Sequence, residues 1–243
     1  MELKDRIALV TGAAHRVGRA IALELAEAGA DIVVHYHQAK TGAQTTVSDL
    51  QQKGGRAIAM GADLSQATGI DFLFDTIEKE WGGVDVLVNS AATMDAGNAL
   101  TLTRAEWERT LNLNLTAPFF CAQRAARSML ARTGGVIINI SDIGGLEPWA
   151  KYPAHSVSKA GLMMLTQVLA KALAPRIRVN AIAPGPVIKP EQWDDARWAR
   201  VGQNTLLKHT GSGYDVARAA RFLIENDYIT GETLVVDGGS RYV

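Results

Sequence analysis

The sequence predicts an α/β fold with a doubly wound parallel sheet. Seven short apolar stretches alternate with segments of helical periodicity along the 243 residues, and this alternation is typical of repeated strand–helix–strand units. A glycine-containing turn follows the first apolar stretch directly. No linker, low-complexity segment or internal repeat interrupts the pattern. We therefore expect residues 1–243 to form a single domain.

Four strands are predicted in the first half of the chain, where runs of apolar residues suit a buried parallel sheet. They lie at residues 7–10, 31–36, 57–60 and 84–88. Helical spacing predicts helices between them at residues 20–28, 41–53 and 70–81. We expect Ser65 to cap the third of these helices, because its hydroxyl group can accept from a free backbone N–H.

The second half begins with a capping-box pattern, Thr103 to Glu106, which predicts a helix continuing to about residue 132. Asn112 and Asn114 lie in its middle, where an Asn side chain competes for backbone groups. A kink, a buried polar contact or a functional site would each explain them. Further strands are predicted at residues 136–140, 177–182 and 233–236, and helices from Pro153 onward and at residues 215–226.

Charge and cysteine content exclude several classes of function. Lys plus Arg and Asp plus Glu each number 25, and no basic block offers a footprint for nucleic acid. The single cysteine, Cys121, excludes an intramolecular disulfide and a Cys-rich metal site, and we interpret it as a small buried hydrophobe. No signal peptide and no apolar run of membrane length is present. We expect a cytoplasmic protein without a nucleic-acid or membrane partner.

The turn after the first strand has the features of a phosphate-binding loop. Gly12 permits a tight turn, Gly18 permits close packing of helix on strand, and the helix start presents free N–H groups. The second strand ends without the Asp or Glu that binds a ribose 2′-hydroxyl group. Arg16, His37 and Lys40 would instead attract a 2′-phosphate. These residues favour NADP(H) over NAD(H), with a solvated helix start as the alternative interpretation of Arg16.

Other loops at the carboxyl ends of predicted strands would meet this turn at one edge of the sheet, where such folds bind ligands. Asn89 and the small residues after it, including Ala91, allow a cofactor to approach the backbone. Asp63, followed by Leu64, either accepts from an adenine amino group or caps the following helix, and the sequence leaves both open. Pro184 and Gly185 form a rigid turn after the sixth strand.

Three polar side chains are predicted to converge between residues 139 and 161. Asp142 lies just past a strand end, and His155 and Lys159 are four residues apart, so they project from one helix face. They form a candidate catalytic centre; a solvated helix start is the alternative.

Two segments suggest how the site is covered and how the protein assembles. The polar segment 188–212, with Trp193 and Trp198, follows a strand end and is predicted to be a substrate lid, with a surface helical hairpin as the alternative. The long apolar face of the helix after Lys159 is expected to bury against a second subunit, in a homodimer or homotetramer.

Together these motifs resemble the short-chain dehydrogenase/reductase family over nearly the whole chain. The matching signatures are Thr11-Gly12 with Gly18, Asp63-Leu64, Asn89-Ser90-Ala91, Asn114, the Ser-x-Ser-Lys-Ala run ending at Lys159-Ala160, Pro184-Gly185 and Asp237-Gly238-Gly239. Three details resemble the pteridine reductase branch: Arg16 in the phosphate loop, His35-Tyr36-His37, and Asp142 at the position of the catalytic Ser. The chain is similar, more distantly, to bacterial 3-oxoacyl-[acyl carrier protein] reductases.

The resemblance implies hydride transfer from NADP(H) at a Tyr-x-x-x-Lys centre. In the family the Tyr gives a proton to the substrate oxygen, the Lys binds the nicotinamide ribose, an Asn holds a water in a proton relay and a Ser polarises the carbonyl. By position, Asn114 and Lys159 are kept, Asp142 replaces the Ser and His155 stands at the Tyr position. The residues expected to contact the cofactor are Gly12, His15, Arg16, Val17, Gly18, His37, Asp63, Leu64, Asn89, Ala91, Lys159, Pro184 and Gly185.

Histidine can replace tyrosine as a proton donor, since the unperturbed pKa of imidazole is about 6.5 against about 10 for phenol. A nearby Lys159 would disfavour the charged form of His155, and a nearby Asp142 would favour it. We therefore expect an NADPH-dependent oxidoreductase that reduces a small carbonyl or pterin-like substrate. The alternative is an NADP(H)-binding protein with little catalysis and a regulatory or assembly role.

Overall fold

Seven parallel strands form the centre of the computed structural model, which describes residues 1–243. The strands are β1 (Ile7–Val10), β2 (Asp31–Tyr36), β3 (Ala57–Gly61), β4 (Val86–Asn89), β5 (Gly135–Ile140), β6 (Ile177–Pro184) and β7 (Thr233–Val236). Their order is β3-β2-β1-β4-β5-β6-β7, and every neighbouring pair is parallel. From β1, strands are added toward one edge as β2 and β3 and toward the other edge from β4 onward. This change of direction confirms the predicted doubly wound sheet.

Eight helices cover the two faces of this sheet. They are α1 (Arg16–Glu27), α2 (Lys40–Gln52), α3 (Ala67–Trp81), α4 (Arg104–Leu111), α5 (Ala117–Ala131), α6 (Pro153–Leu173), α7 (Asp195–Gln203) and α8 (Gly213–Glu225). Alternate residues of each strand point to opposite faces. Ala8 and Val10 therefore join a core with α1, α2 and α8, whereas Ile7 and Leu9 join one with α3, α5 and α6. None of the helices is both long and apolar enough to cross a membrane.

Some element boundaries differ from the sequence-based prediction. The expected capping role of Ser65 is wrong: α3 begins at Ala67, and the backbone N–H and hydroxyl group of Ser65 both donate to Asp63, at 2.9 and 2.7 Å. A side chain engaged in this turn is not free to cap the helix. The strand β6 continues to Pro184, because its last residues pair with β7.

The predicted long helix after Thr103 is present, with one local change in its middle. Its capping box forms as expected, with Thr103 and Glu106 each accepting from the backbone of the other. Between α4 and α5, however, residues 112–116 form a π-helical turn that contains both central asparagines. Such turns widen the helix by one residue and often occur at functional sites.

A buried chain of hydrogen-bonded polar side chains joins the sheet to α6, just below the carboxyl edge of the sheet. Asn89 on β4 donates to Asn139 on β5, and Asn139 donates to Thr166 on α6, each at 2.9 Å. All three side chains are buried. The chain therefore fixes the relative positions of three elements that carry the loops of the site.

We predict that Asn139→Ala destabilises the protein by about 2–3 kcal/mol, because Asn89 and Thr166 both lose a buried partner. Urea unfolding at neutral pH measures this free energy. Gln52→Ala, which removes an exposed side chain bonded only to Ser48, is the control and should change stability by less than about 0.5 kcal/mol. Equal effects of the two substitutions would show that the polar chain does not stabilise the fold.

Candidate active site

A cavity of about 1060 Å³ lies along the carboxyl edge of the sheet, where the predicted loops meet. Most of the predicted site residues line it: Gly12, His15, Arg16, Val17, Gly18, His37, Asp63, Leu64, Ala91, Asp142, His155, Lys159, Pro184 and Gly185. Asn89 and Asn114 are the exceptions. Both are buried beside the cavity and hydrogen-bonded to protein groups.

The loop between β1 and α1 has the shape that a bound pyrophosphate requires. Gly12 has a φ of +66°, and a Cβ atom there would lie 2.9 Å from the Cα atom of Ala91. A Cβ atom on Gly18 would overlap the carbonyl oxygen of Gly12. The helix α1 begins after His15 with no side-chain cap and no acidic residue in its first turn. Its first N–H groups therefore remain available to an anion, and the dinucleotide phosphates fit this cradle.

Basic side chains surround the place where β2 ends. Arg16 adopts a left-handed backbone with a φ of +57°, and it is exposed at the cavity wall. The Nε2 atom of His37 lies 4.0 Å from the Oδ2 atom of Asp63. Burial alone would raise the pKa of Asp63, but hydrogen bonds from Ser65 hold it below its ordinary value. Asp63 thus forms the turn before α3, and its second oxygen faces His37.

His35, on β2, connects two of the loops from beneath. Its Nδ1 atom accepts from the backbone N–H of Gly12 at 3.2 Å, so Nε2 carries the hydrogen and donates to the carbonyl of Ala62 at 3.0 Å. Burial of the ring lowers its pKa to about 4. The sequence offered one signal for this role, a polar residue within an otherwise apolar strand.

Asn114 lies in the π-helical turn and binds both backbone polar groups of one residue, Thr93. Its Oδ1 atom accepts from the backbone N–H of Thr93, and its Nδ2 atom donates to the carbonyl of Thr93, each at 2.9 Å. The second hydrogen of Nδ2 is donated to Ser158 at 3.1 Å. Of the three explanations for a mid-helix asparagine, a buried polar contact is therefore the one observed at this position.

The three polar groups expected to converge do lie together. The Nε2 atom of His155 is 3.7 Å from the Oδ2 atom of Asp142, whose Oδ1 atom accepts from the N–H of Gly144 at 2.7 Å. Lys159 donates to the carbonyl of Ile140 at 2.8 Å. Burial lowers the pKa of Lys159 to about 8, and the nearby Asp142 carboxylate opposes that shift.

Surrounding groups set the orientation of the His155 ring. Its Nδ1 atom lies 3.2 Å from the carbonyl oxygen of Thr93, which can only accept, so Nδ1 carries a hydrogen. Its Nε2 atom is buried and has no hydrogen-bond partner. The indole of Trp149 is stacked on the imidazole, with an interplanar angle of 10°. Sequence reasoning missed Thr93 and Trp149, because neither belongs to a motif with a recognisable spacing.

Tyr152, the tyrosine nearest to His155 in the sequence, packs against Trp149 and not into the cavity. It precedes the first residue of α6, and its ring meets Trp149 edge-on at a centroid distance of 6.3 Å. Tyr152 does not line the cavity.

The polar segment 188–212 borders the open side of the cavity. Trp193 and Trp198 are half-buried, lie 6.4 Å apart and line the cavity together with Ile188 and Val201. The guanidinium group of Arg197 covers one face of Trp193 at 3.9 Å. The helix α7 lies within this segment.

A doubly wound sheet with a glycine-containing anion cradle after β1 and a buried lysine beside an Asp–His pair defines a dinucleotide-dependent oxidoreductase. The family profile described as enoyl-(acyl carrier protein) reductase matches residues 12–241. The chain belongs to the short-chain dehydrogenase/reductase family.

Named relatives cover almost the whole chain. A 3β-hydroxysteroid dehydrogenase 1 of Eggerthella lenta is 38% identical over 98% of this chain and 94% of its own length. A 3-oxoacyl-[acyl-carrier-protein] reductase of Synechocystis is 36% identical over 98% and 97%. The crystal structure of FolM alternative dihydrofolate reductase 1 from Brucella canis, complexed with NADP, has a TM-score of 0.94 and 29% identity, covering 100% and 96%. These relatives support the family assignment, but they do not distinguish the pteridine reductase branch.

We predict that stability falls as the pH drops from 6.5 to 4, because His35 is neutral when folded and charges readily when unfolded. The unfolded chain binds the extra proton in this range, so the stabilisation is present above pH 6.5 and is lost toward the folded pKa of about 4. The loss attributable to His35 between pH 7 and pH 5 should be about 2 kcal/mol.

Urea unfolding of the protein and of His35→Gln at both pH values measures this contribution. The substituted protein should show a smaller difference between the two pH values, since glutamine does not titrate. An unchanged difference would mean that other groups cause the pH dependence.

Proposed function

We propose that this protein is an NADPH-dependent oxidoreductase that reduces a small carbonyl or pterin-like substrate, with the Asp142–His155 pair as its proton donor. One observation carries the proposal. The Nε2 atom of His155 is buried, has no hydrogen-bond partner and lies 3.7 Å from Asp142 at the wall of the cavity. When bound, NADPH supplies a hydride.

The residues that would hold the cofactor line one end of the cavity. The loop from Gly12 to Gly18 and the start of α1 would bind the pyrophosphate through backbone N–H groups. Arg16 and His37 would bind the 2′-phosphate. Lys159 uses one of its three hydrogens on Ile140, so it retains two donors for the nicotinamide ribose.

The Asp142–His155 pair is suited to hold one transferable proton. With both groups deprotonated at the facing atoms, the lone pair of Nε2 would face a carboxylate oxygen, which is electrostatically unfavourable. A proton on either the imidazole or the carboxyl group would remove this repulsion and would be available to the substrate oxygen. Together with the hydride that NADPH would supply to the carbonyl carbon, that proton would give an alcohol.

Asn114 takes a positioning role in this scheme. All three of its polar bonds go to Thr93 and Ser158, and the carbonyl of Thr93 in turn holds the Nδ1–H of His155. Asn114 would thus act on His155 through a peptide group, in addition to any water that the family pattern places beside it.

One observation favours the second candidate function, an NADP(H)-binding protein with little catalysis. The side chain of His155 is only 4% exposed and lies against Trp149, as a structural histidine would. The apolar α6 face that the sequence assigned to a subunit contact is mostly used within the subunit, since Leu162 and Leu169 are buried there. Our proposal of a homodimer or homotetramer is supported instead by exposed apolar side chains on α5 and α6, including Phe120, Met164 and Val168.

We predict that His155→Ala lowers kcat/KM by about 10²- to 10⁴-fold, the usual contribution of a positioned proton donor. Loss of NADPH absorbance with a panel of carbonyls, quinones and pterins measures activity, and a pH–rate profile should lose the step that the Asp142–His155 pair causes. His155→Tyr tests whether a phenol can replace the ring.

Unchanged activity in His155→Ala would remove His155 from the mechanism. Tight NADPH binding without turnover, combined with turnover gained in His155→Tyr, would instead support the second candidate function.

We predict that Arg16→Gly reduces the preference for NADPH over NADH by about tenfold, since it removes a charged contact to the 2′-phosphate. Glycine suits the positive φ of this position, so the loop should keep its backbone. Calorimetric titration of both cofactors measures the ratio of dissociation constants. Arg19→Gln, which alters a neighbour paired with Asp49, is the control; an unchanged ratio in Arg16→Gly would exclude the contact.

A further inference from the structure

The cavity changes in character beyond the catalytic pair. At the cofactor end it carries several charged groups, whereas the far end is aromatic and aliphatic, with the lining residues Met94, Leu113, Ile143, Trp149, Trp193 and Trp198. Arg109 is the one charged lining residue there, and its guanidinium group lies 3.2 Å from Asp95. The far end therefore offers a large apolar surface and few free polar partners.

An aromatic side chain lies beside His155 at the cavity wall. The indole of Trp149 lines the cavity and is within 10° of parallel to the imidazole, at a centroid distance of 6.2 Å. A flat ring that binds in the plane of the imidazole would therefore lie parallel to the indole, in the offset arrangement that aromatic pairs prefer.

Trp149 is held firmly enough to act as such a surface. A Cβ atom on Gly144 would lie 2.8 Å from the indole Cε3 atom, so the ring packs directly on that backbone. The backbone N–H of Trp149 donates to the hydroxyl oxygen of Ser156 at 3.3 Å, and Tyr152 meets the indole ring edge-on. These contacts orient the indole before any ligand binds.

We propose that the substrate is an uncharged aryl ketone, with its carbonyl conjugated to a flat aromatic ring that stacks on Trp149. This inference rests on the proposed function and narrows it. A pterin would leave its amino and amide groups without partners against the apolar wall, which is costly for buried polar groups. A saturated ketone of equal size would fill the space but could not stack.

The test compares 1-tetralone, an aryl ketone, with 1-decalone, its saturated counterpart of the same skeleton. Calorimetric titration into the protein saturated with NADP⁺ measures binding where no reduction can occur. We expect 1-tetralone to bind about 3- to 10-fold more tightly, the range that aromatic pairing provides. Trp149→Leu should remove this preference. Trp81→Leu, which alters a tryptophan packed under Arg56 far from the cavity, should retain it.

The outcomes separate this inference from the proposed function. Equal binding of the two ketones by the unsubstituted protein, or tighter binding of 7,8-dihydrobiopterin, would overturn the aryl ketone. This comparison stands whether or not Trp149→Leu folds. A preference for 1-tetralone without its reduction by NADPH would leave the ligand class in place and overturn the reductase function. Reduction of small acyclic ketones with no preference for 1-tetralone would support the reductase function and overturn the aryl ketone as the substrate.

Discussion

The backbone of Thr93 is the point on which the geometry of the candidate catalytic centre depends. Its carbonyl oxygen accepts from both His155 and Asn114, and its N–H donates to Asn114. Asn114 makes these two bonds from within the π-helical turn of residues 112–116. An acceptor-only carbonyl at Nδ1 leaves Nε2 facing Asp142. One backbone group thereby determines both the tautomer and the direction of the proposed donor.

The sheet beneath this centre keeps its polar groups satisfied at the strand ends. Asn139 connects β4 to α6, and Thr11 accepts from the backbone N–H groups of Ser90 and Ala91 at 2.9 and 3.0 Å. His35 performs the same task beneath the phosphate loop. Loops that approach a cofactor expose backbone groups, and buried partners of this kind hold those loops in one conformation.

Burial and a neighbouring carboxylate act in opposite directions on the lysine of this centre. Desolvation lowers the pKa of Lys159 to about 8, while Asp142 opposes that shift. One nitrogen of the His155 imidazole is committed to Thr93, and the other lies 3.7 Å from Asp142. In the function that we propose, these two residues share the transferable proton.

The sequence alone determined that the fold is a doubly wound parallel sheet and that a glycine-containing loop follows β1. It also determined that Asp142, His155 and Lys159 lie close together. These depend on local periodicity, on glycine geometry and on residues four apart in one helix, all of which act over short distances along the chain. Only the tertiary structure decided what Asn114 binds, that Trp149 lies parallel to His155, and that Ser65 serves Asp63 rather than the start of α3. The contacts of Asn114 join segments up to 44 residues apart. Those of Trp149 and Ser65 are local but depend on how the side chains are oriented in the folded protein, which no spacing along the chain encodes.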